Sequence, residues 1–246
     1  MKRILIALAL LFISVPAWAQ SVQCTTRPAG DSTNACASTA FVQNAVASGA
    51  VLIGGVCDGV TDDTAAVQAS IDAVPYGGAL YIPAGKTCKV VGSGSQILTR
   101  ATPITIYGDG PSNSTILVGS SVPSTRDVFK FAPTSGTAGW ILRDFQISGE
   151  SGTPRGQHAV YIDTTASGAQ AYNFYIERML ILPTAGGNSI RAVNTQSTGG
   201  LHNSVFYDNN LESIYLQNVG DSVAIRNNAI NSTSATNAGI FAYQVA

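Results

Sequence analysis

The chain has 246 residues, of which 45% are hydrophobic and only 11% are charged, and its formal net charge is −1. Soluble domains average about 25% charged residues, so the composition disfavours helical bundles and coiled coils, whose outer faces need charge. It also disfavours disordered chains, which are highly charged, and nucleic-acid-binding proteins, which need a basic patch. The length suits one domain, with or without a small appendage.

The first 19 residues have the pattern of a secretory signal peptide. Lys2 and Arg3 form a basic start, residues 4–15 are apolar except for Ser14, and a small-x-small pattern ends at Ala19. The apolar run is too short to span a bilayer well, and no later run is long enough to span one. We therefore expect cleavage after Ala19 and a secreted or periplasmic protein with no membrane partner. A retained membrane anchor is the alternative.

Export makes the cysteines of the chain informative. There are four, all beyond the predicted cleavage point: Cys24, Cys36, Cys57 and Cys88. An oxidising compartment favours disulfides, and four cysteines allow three pairings. Proximity along the chain favours Cys24–Cys36 and Cys57–Cys88. Because the sequence has no Cys-x-x-Cys motif and no Cys/His cluster, we expect no structural zinc site.

Residues 20–50 form a polar segment of small side chains, which we separate from a main domain over residues 51–246. One short helix is predicted within it over residues 38–48, with Ser38 as the N-cap and Gly49 as the stop. A threonine-rich turn followed by Ala-Phe-Val in this segment resembles a stretch that is common in phage tail-fibre proteins.

A helix and then a strand are predicted within residues 58–87, DGVTDDTAAVQASIDAVPYGGALYIPAGKT. We expect Thr61 to cap the helix, with Asp62 and Asp63 in its first turn, where the helix dipole favours anions. A catalytic carboxylate pair is the alternative role for these aspartates. One apolar helix face follows at spacings of i, i+4 and i+7: Val67, Ile71 and Val74. Proline and glycines end the helix, and a strand over residues 79–82 follows.

Residues 58–87 resemble the start of the pectate-lyase-like right-handed parallel β-helix superfamily. The resemblance is closest to the branch that includes rhamnogalacturonase- and epimerase-like domains and many phage tailspikes. In that superfamily the segment is the N-terminal cap helix and the first strand. The resemblance implies an all-β fold, a single-stranded right-handed parallel β-helix with an N-terminal cap helix. It implies function only loosely, because one fold hosts many chemistries.

The rest of the chain shows a repeat, as a solenoid requires. One strand type recurs at residues 128–131, 159–162, 189–192, 213–216 and 239–242. A second recurs at residues 142–147, 176–181, 206–211 and 225–230. An antiparallel sandwich would also give short strands, but it would predict neither this alternation of two types nor a cap helix. In the second type Asn209 and Asn228 share a register, which predicts an asparagine stack at a coil corner.

Side chains of a strand alternate between its two faces, so the first strand type has apolar columns that point inward and one column between them that points outward. This outward column, which we call the outward stripe, contains Lys130, Tyr161, Arg191, Tyr215 and Phe241. The next outward column contains Asp163, Val193, Gln217 and Tyr243. We therefore expect Asp163 to lie near Arg191, which is on the next coil.

Alternating aromatic and cationic side chains suit a sugar polymer, because aromatic faces stack on sugars and cations hold uronate carboxylates. The predicted substrate-binding residues are Lys130, Tyr161, Tyr215, Gln217 and Phe241. Asp163 and Arg191 are the catalytic candidates, as base and charge clamp of a lyase or as part of a hydrolase carboxylate pair. The alternative is an exposed ion pair, with aromatic rings that merely cover the sheet.

Other acidic residues are weaker candidates. Asp144, Arg178 and Asp208 share one register on successive coils, which favours a structural ladder of charges. Glu150 is a candidate acid beside a loop, and His158 is a turn residue at the start of a strand. We expect no cofactor and no dedicated metal site, although single ligands from adjacent coils could assemble a calcium site.

Known catalytic motifs of related β-helix enzymes are absent from this sequence: Asn-Thr-Asp, Gly-His-Gly, Arg-Ile-Lys, Asp-Pro-His and Arg-x-Pro-x-x-Arg. The leading hypothesis is an exported protein that cleaves an acidic polysaccharide by hydrolysis or β-elimination. The alternative is a non-catalytic binding module of the adhesin or tail-fibre type. The chain ends directly after a strand-like run, so we expect either a longer parent protein or a partner chain over that end. The resemblance to tailspikes implies a homotrimer.

Overall fold

The computed structural model of the chain describes residues 49–92, 96–133, 136–150, 157–166, 169–182, 188–193, 200–202, 205–207, 209–211, 213–217, 223–230 and 239–243. The predicted signal peptide, the predicted helix over residues 38–48, Cys24, Cys36 and Asp208 lie outside the described residues. No helix in the described part is both long and apolar enough to cross a membrane.

The described strands pair in parallel, each with its counterpart from the next coil. Sheet A contains β1 (Ala50–Leu52), β3 (Ala79–Ile82), β6 (Thr105–Gly108), β10 (Ile141–Arg143), β14 (Tyr175–Glu177), β18 (Val205–Tyr207) and β21 (Ala224–Arg226). Sheet B contains β2 (Asp58–Asp62), β4 (Lys86–Val90), β7 (Ser114–Val118), β11 (Gln146–Gly149), β15 (Leu180–Ile181), β19 (Asn210–Leu211) and β22 (Ala229–Ile230).

Sheet C contains β5 (Gln96–Arg100), β8 (Asp127–Phe131), β12 (Val160–Asp163), β16 (Ile190–Val193), β20 (Ser213–Gln217) and β23 (Gly239–Tyr243). A smaller sheet D contains β9 (Gly136–Ala138), β13 (Gln170–Tyr172) and β17 (Gly200–His202). The chain visits the sheets in the same order on each coil, so the fold is a parallel β-solenoid. The predicted fold class is confirmed.

The core is a continuous apolar column inside the coils. Phe129, Val160, Ile190 and Ile214 are paired in register on sheet C and are buried, as their inward column predicts. At the corner between sheets C and A, Phe131, Trp140 and Phe174 form a cluster of rings with centroids 5.3–6.1 Å apart. On the last described coil the column is no longer buried, and Ile240 is 49% exposed.

The predicted second strand type is two strands separated by a sharp bend. In each repeat a sheet A strand ends, two residues turn the chain, and a sheet B strand begins. The first bend residue has a left-handed backbone at Asp144 (φ 61), Arg178 (φ 49) and Asn227 (φ 53). This conformation turns the chain within one residue, which a continuous strand cannot do.

The asparagines of the second bend position form the predicted stack. The Asn209 amide accepts a hydrogen bond from the Met179 N–H (2.9 Å) and donates to the Ile176 carbonyl (2.9 Å) and to Asn228 Oδ1 (2.9 Å). Asn228 in turn donates to the Phe206 carbonyl (2.9 Å). These side chains satisfy backbone groups that the bend removes from the sheets.

The cap helix α1 (Thr64–Ala73) starts later than the sequence predicts. Residues 58–62 extend as β2, so Thr61 does not cap the helix and neither aspartate lies in its first turn. Asp63 occupies the N-cap position, but its carboxylate accepts hydrogen bonds from the Val56 and Cys57 N–H groups instead. These two N–H groups lie in the loop before β2, and the buried Asp63 carboxylate bonds to them rather than to the N–H groups of the first helical turn. The predicted apolar helix face is buried as expected: Val67, Ile71 and Val74.

A disulfide joins Cys57 to Cys88, as sequence proximity predicts. It connects the residue before β2 to β4, the neighbouring strand of sheet B, and thereby ties the cap end to the next coil. Asp63 lies close to both sulfur atoms. Its carboxylate is already occupied by backbone donors, so this buried group of three side chains stabilises the cap.

Candidate functional site

The outward stripe lies on one face of sheet C, in the predicted register. Lys130 pairs with Tyr161, Tyr161 with Arg191, Arg191 with Tyr215, and Tyr215 with Phe241. Parallel strands of neighbouring coils are about 4.8 Å apart, so consecutive side chains of the stripe lie next to one another. The stripe is therefore a continuous surface feature that runs along the solenoid axis.

Cations and aromatic rings alternate within the stripe. Lys130 Nζ lies 5.3 Å from the centroid of the Tyr161 ring, and the Arg191 guanidinium lies 5.6 Å from the same ring on its other side. The Arg191 guanidinium is also 5.3 Å from the Tyr215 ring. The Tyr161 ring thus has a cation from each neighbouring coil beside it, and the His158 ring lies 5.7 Å from it. The stacking of a sugar on this ring, which the sequence suggested, stays a prediction.

Asp163 forms its ion pair with Lys130 and not with Arg191. The Lys130 Nζ–Asp163 Oδ2 distance is 2.8 Å, and Asp163 Oδ1 accepts hydrogen bonds from the N–H and hydroxyl of Thr165. The lysine stem is flexible and reaches the neighbouring coil, whereas the Arg191 guanidinium is held between two tyrosine rings. Burial alone would raise the pKa of Asp163, but the hydrogen bonds from Lys130 and Thr165 outweigh it and hold the pKa below its usual value.

The second outward column is only partly outward. Val193 follows Asp163 in register but is 6% exposed, so it belongs to the core. Gln217 is half-buried and accepts a hydrogen bond from the Tyr215 hydroxyl at 3.4 Å. Phe241 is an exposed ring at the last described coil. The polar part of this face is therefore concentrated on β8, β12, β16 and β20.

A second ladder of side chains lies where the sheet C strands begin. The buried Asp127 carboxylate lies close to the backbone N–H of His158, and its Oδ1 has no hydrogen-bond partner among the described residues. His158 Nδ1 accepts a hydrogen bond from the Asn188 N–H (2.9 Å), and Asn188 Nδ2 donates to Ser213 Oγ (3.1 Å). The side chains of His158 and Asn188 are therefore each hydrogen-bonded to the next coil, as the asparagines are at the other corner. Hydrophobic alternation does not predict this ladder, although extending the stripe's register back to the strand starts aligns Asp127, His158 and Asn188.

Burial shifts the titration of this corner strongly. It raises the pKa of Asp127 to about 6, despite the nearby Lys130. Burial, reinforced by the charge of Arg191, lowers the pKa of His158 to about 4. At neutral pH the histidine is therefore neutral, and the two aspartates of this face have pKa values displaced in opposite directions.

The weaker acidic candidates have structural partners. Arg178 donates to both carboxylate oxygens of Asp144, at 2.6 and 2.9 Å, which supports the interpretation as a structural ladder. Glu150 pairs with Lys89 at 2.8 Å and accepts a hydrogen bond from the Ser120 N–H. The Lys89 hydrogen bond lowers the pKa of Glu150 to about 2, so this carboxylate is a poor general acid at neutral pH.

A shallow cavity of about 350 Å³ lies on sheet A and is lined by Thr105, Ile141, Arg143, Tyr175 and Glu177. Its charged groups already have partners of opposite sign. Arg143 lies 3.8 Å from Asp144, and Glu177 lies 3.3 Å from Arg178. Among the described residues, by contrast, no carboxylate forms an ion pair with Arg191. The outward stripe is therefore the better candidate site.

No protein-family model, no curated protein and no solved structure matches this chain. The parallel β-solenoid is consistent with the β-helix superfamily that residues 58–87 resemble. At the level of fold, the chain is a β-solenoid, and the outward stripe on sheet C is its better candidate site.

Proposed function

We propose that this chain is exported and binds an acidic polysaccharide along the outer face of sheet C. The observation that carries the proposal is the Lys130–Tyr161–Arg191–Tyr215 ladder, in which Arg191 is held between two rings without a carboxylate partner among the described residues. A guanidinium held in this way has its orientation fixed before a ligand arrives. Such preorganisation reduces the entropy that binding costs.

The direction of the stripe supports a polymeric ligand. Groups on successive coils recur about every 4.8 Å, so an extended chain lying along the solenoid axis would meet the cations and tyrosine hydroxyls in turn. Lys130 is already paired with Asp163, so Arg191 is the principal anion-binding group, and Tyr161 and Tyr215 present hydroxyls beside it. Binding then depends on charge and hydrogen bonds more than on stacking.

Cleavage of the same polymer is the second candidate function. The observation that favours it is the opposite displacement of the Asp127 and Asp163 pKa values on one face, a pattern typical of acid–base pairs. Asp163, ionised, would act as the base, and Arg191 would stabilise the developing charge. Asp127 is 9% exposed, so a substrate would have limited access to it.

Binding is tested by titrating the secreted protein with polygalacturonate, and with its methyl-esterified form as the uncharged comparison. We expect Arg191→Ala to weaken binding of the charged polymer at least ~10-fold, the order of a lost charge-assisted contact. Arg143→Ala, which removes an exposed arginine from sheet A, is the matched control and should bind normally. Equal affinity of the wild type for both polymers would refute the proposal.

Cleavage is tested on the same samples by following reducing ends together with ultraviolet absorbance, with and without calcium. Both signals would indicate a lyase, and reducing ends alone a hydrolase. We expect Asp163→Asn to abolish either signal while retaining binding. Binding without either signal would favour a non-catalytic module of the adhesin or tail-fibre type. The homotrimer implied by the tailspike resemblance stays a prediction, which sedimentation analysis would check.

A further inference from the structure

The cavity on sheet A is lined by outward side chains of three neighbouring strands. Ile141 on β10 is in register with Thr105 on β6 and with Tyr175 on β14. Two residues further along, Arg143 on β10 is in register with Glu177 on β14. The residues between them on β10 and β14 are fully buried, so the lining side chains point away from the core. Ligand pockets have volumes of about 300–1,000 Å³. This cavity of about 350 Å³ therefore suits a small ligand, or one unit of a larger one.

The charged groups of the cavity have hydrogen-bonding capacity left. Arg143 Nη1 lies 3.8 Å from Asp144 Oδ2, beyond hydrogen-bond distance, and both Asp144 oxygens already accept from Arg178. No described residue accepts a hydrogen bond from the Arg143 guanidinium. Glu177 Oε2 lies 3.3 Å from Arg178 Nη1, and no described residue donates to Glu177 Oε1. The cavity is therefore flanked by donors and an acceptor that are open to a ligand.

Aromatic rings on the preceding coils restrain the Arg143 guanidinium. It lies 5.5 Å from the centroid of the Tyr107 ring, and Tyr107 stacks on Tyr81 with the ring centroids 5.0 Å apart. Tyr81 is in turn fixed by the hydrogen bond that its hydroxyl donates to Asp109. The Arg143 side chain is still 42% exposed, so a ligand can reach it. Its donors are thus oriented before a ligand arrives, which reduces the entropy that binding costs.

The charges around the cavity cancel. Two cations and two anions surround it, linked in ion pairs: Arg143, Asp144, Arg178 and Glu177. An ionic ligand would therefore gain no net attraction. The cavity nevertheless places a guanidinium, which needs acceptors, about 4.8 Å along the sheet from a carboxylate, which needs donors. A hydroxyl group is both a donor and an acceptor, so two adjacent hydroxyls can bond to both charged groups.

The rest of the cavity offers an apolar surface, which is formed by the partly buried side chains of Ile141 and Tyr175. A sugar ring combines adjacent hydroxyls with an apolar face of C–H groups, and such a face packs on an aromatic ring. We infer that the sheet A cavity binds one neutral hexose unit, with two adjacent ring hydroxyls bonded to Arg143 and Glu177 and its apolar face against the Tyr175 ring. This site lies on a different sheet from the outward stripe and takes an uncharged ligand, so it goes beyond the proposed function and does not depend on it.

The test is a titration of the ¹⁵N-labelled secreted protein with three neutral sugars, methyl glucoside, methyl galactoside and methyl mannoside, followed by amide chemical shifts. We expect at least one of them to shift the amides of Ile141 and Tyr175 saturably and to leave the Arg191 amide on sheet C unchanged. Arg143→Ala should weaken that binding at least ~10-fold, as expected for a lost charge-assisted hydrogen bond. Arg226→Ala is the matched control. It removes an exposed arginine three strands further along the same outward column and should keep the affinity within about 2-fold.

Glu177→Ala separates a binding role from a purely structural one. In the wild type we expect methyl galacturonoside, which carries a carboxylate, to bind no more tightly than methyl galactoside. Removing the Glu177 carboxylate leaves the cavity with a net positive charge, so the preference should reverse in favour of the uronate. No saturable shift with any of the three neutral sugars would overturn the inference. Equal affinity of the wild type and Arg143→Ala would also overturn it, as would a wild-type preference for the uronate.

This inference and the proposed function fail in different ways. Polygalacturonate binding that survives Arg143→Ala and is lost in Arg191→Ala supports the proposed function, whatever the neutral sugars do. Neutral-sugar shifts on sheet A without any polygalacturonate binding would refute the proposed function alone.

Discussion

Replacing Asn209 by alanine should destabilise the solenoid by about 3–5 kcal/mol. The side chain is 2% exposed and satisfies two backbone groups of the preceding coil, the Met179 N–H and the Ile176 carbonyl. Alanine leaves both without a partner, and each buried unsatisfied group costs about 1–3 kcal/mol. Two such groups sum to about 2–6 kcal/mol, and the predicted loss is the middle of that range. The bond to Asn228 is lost as well.

The assay is equilibrium unfolding in urea, followed by circular dichroism, together with hydrogen exchange of individual amides. We expect the Met179 amide to lose its protection in Asn209→Ala. Asn228→Ala is the matched control. That side chain bonds the Phe206 carbonyl and the Asn209 N–H in the same way, but it is only partly buried, so water can replace these partners and the loss should be only about 1–2 kcal/mol. If the free energy of unfolding of Asn209→Ala stays within about 1 kcal/mol of the wild-type value, the corner bonds do not stabilise the solenoid to the predicted extent.

Three further substitutions test other parts of the structure. Burial raises the pKa of Asp127 from 3.8 to about 6, so the folded chain retains a proton that the unfolded chain has released, and stability falls as pH rises through that window. Asp127→Asn should therefore be more stable than the wild type by up to ~3 kcal/mol at pH 7, and the two proteins should be equally stable below about pH 4. A difference in melting temperature that does not depend on pH would contradict this expectation. Replacing both Cys57 and Cys88 by alanine removes a link across 31 residues and should lower the free energy of unfolding by about 3–4 kcal/mol, measured in denaturant. A decrease below about 1 kcal/mol would show that the disulfide barely constrains the unfolded chain. Gly108→Ala would place a Cβ 2.6 Å from a carbonyl oxygen of the next coil, so it should lower the free energy of unfolding by more than ~2 kcal/mol in the same assay. Gly49 has open space around it, so the control Gly49→Ala should lower it by less than ~0.5 kcal/mol.

The fold was predictable because burial in a solenoid repeats in register. The two apolar columns of sheet C and the outward stripe between them follow from alternation alone, and the pairings of Lys130, Tyr161 and Arg191 confirm them. The start of the helix was not predictable in the same way. Asp63 suits a helix cap in isolation, but the N–H groups of Val56 and Cys57, in the loop seven and six residues earlier, bind its carboxylate.

The site was predictable only where strand register determines it. Register places Asp163 and Arg191 on one face, but the partner of Asp163 depends on which cation can move. Arg191 is held by ring contacts that no single-strand pattern contains. The place of His158 in the corner ladder was not predicted, because its Nδ1 accepts from the backbone N–H of Asn188, 30 residues later. Hydrophobic alternation gives no signal at this corner.

The corners of the solenoid differ in how much sequence they contain, and this has a consequence for how such a chain can diversify. From β10 onward, two residues join each sheet A strand to its sheet B strand, so an insertion there would break a bend that side-chain bonds close. Between sheets B and C the connection varies, with eight residues before β8, ten before β12, eight before β16 and one before β20. Insertions at that corner leave every strand register intact, so it is the place where evolution, or a protein engineer grafting a foreign peptide, can change the length of the chain beside the outer face of sheet C.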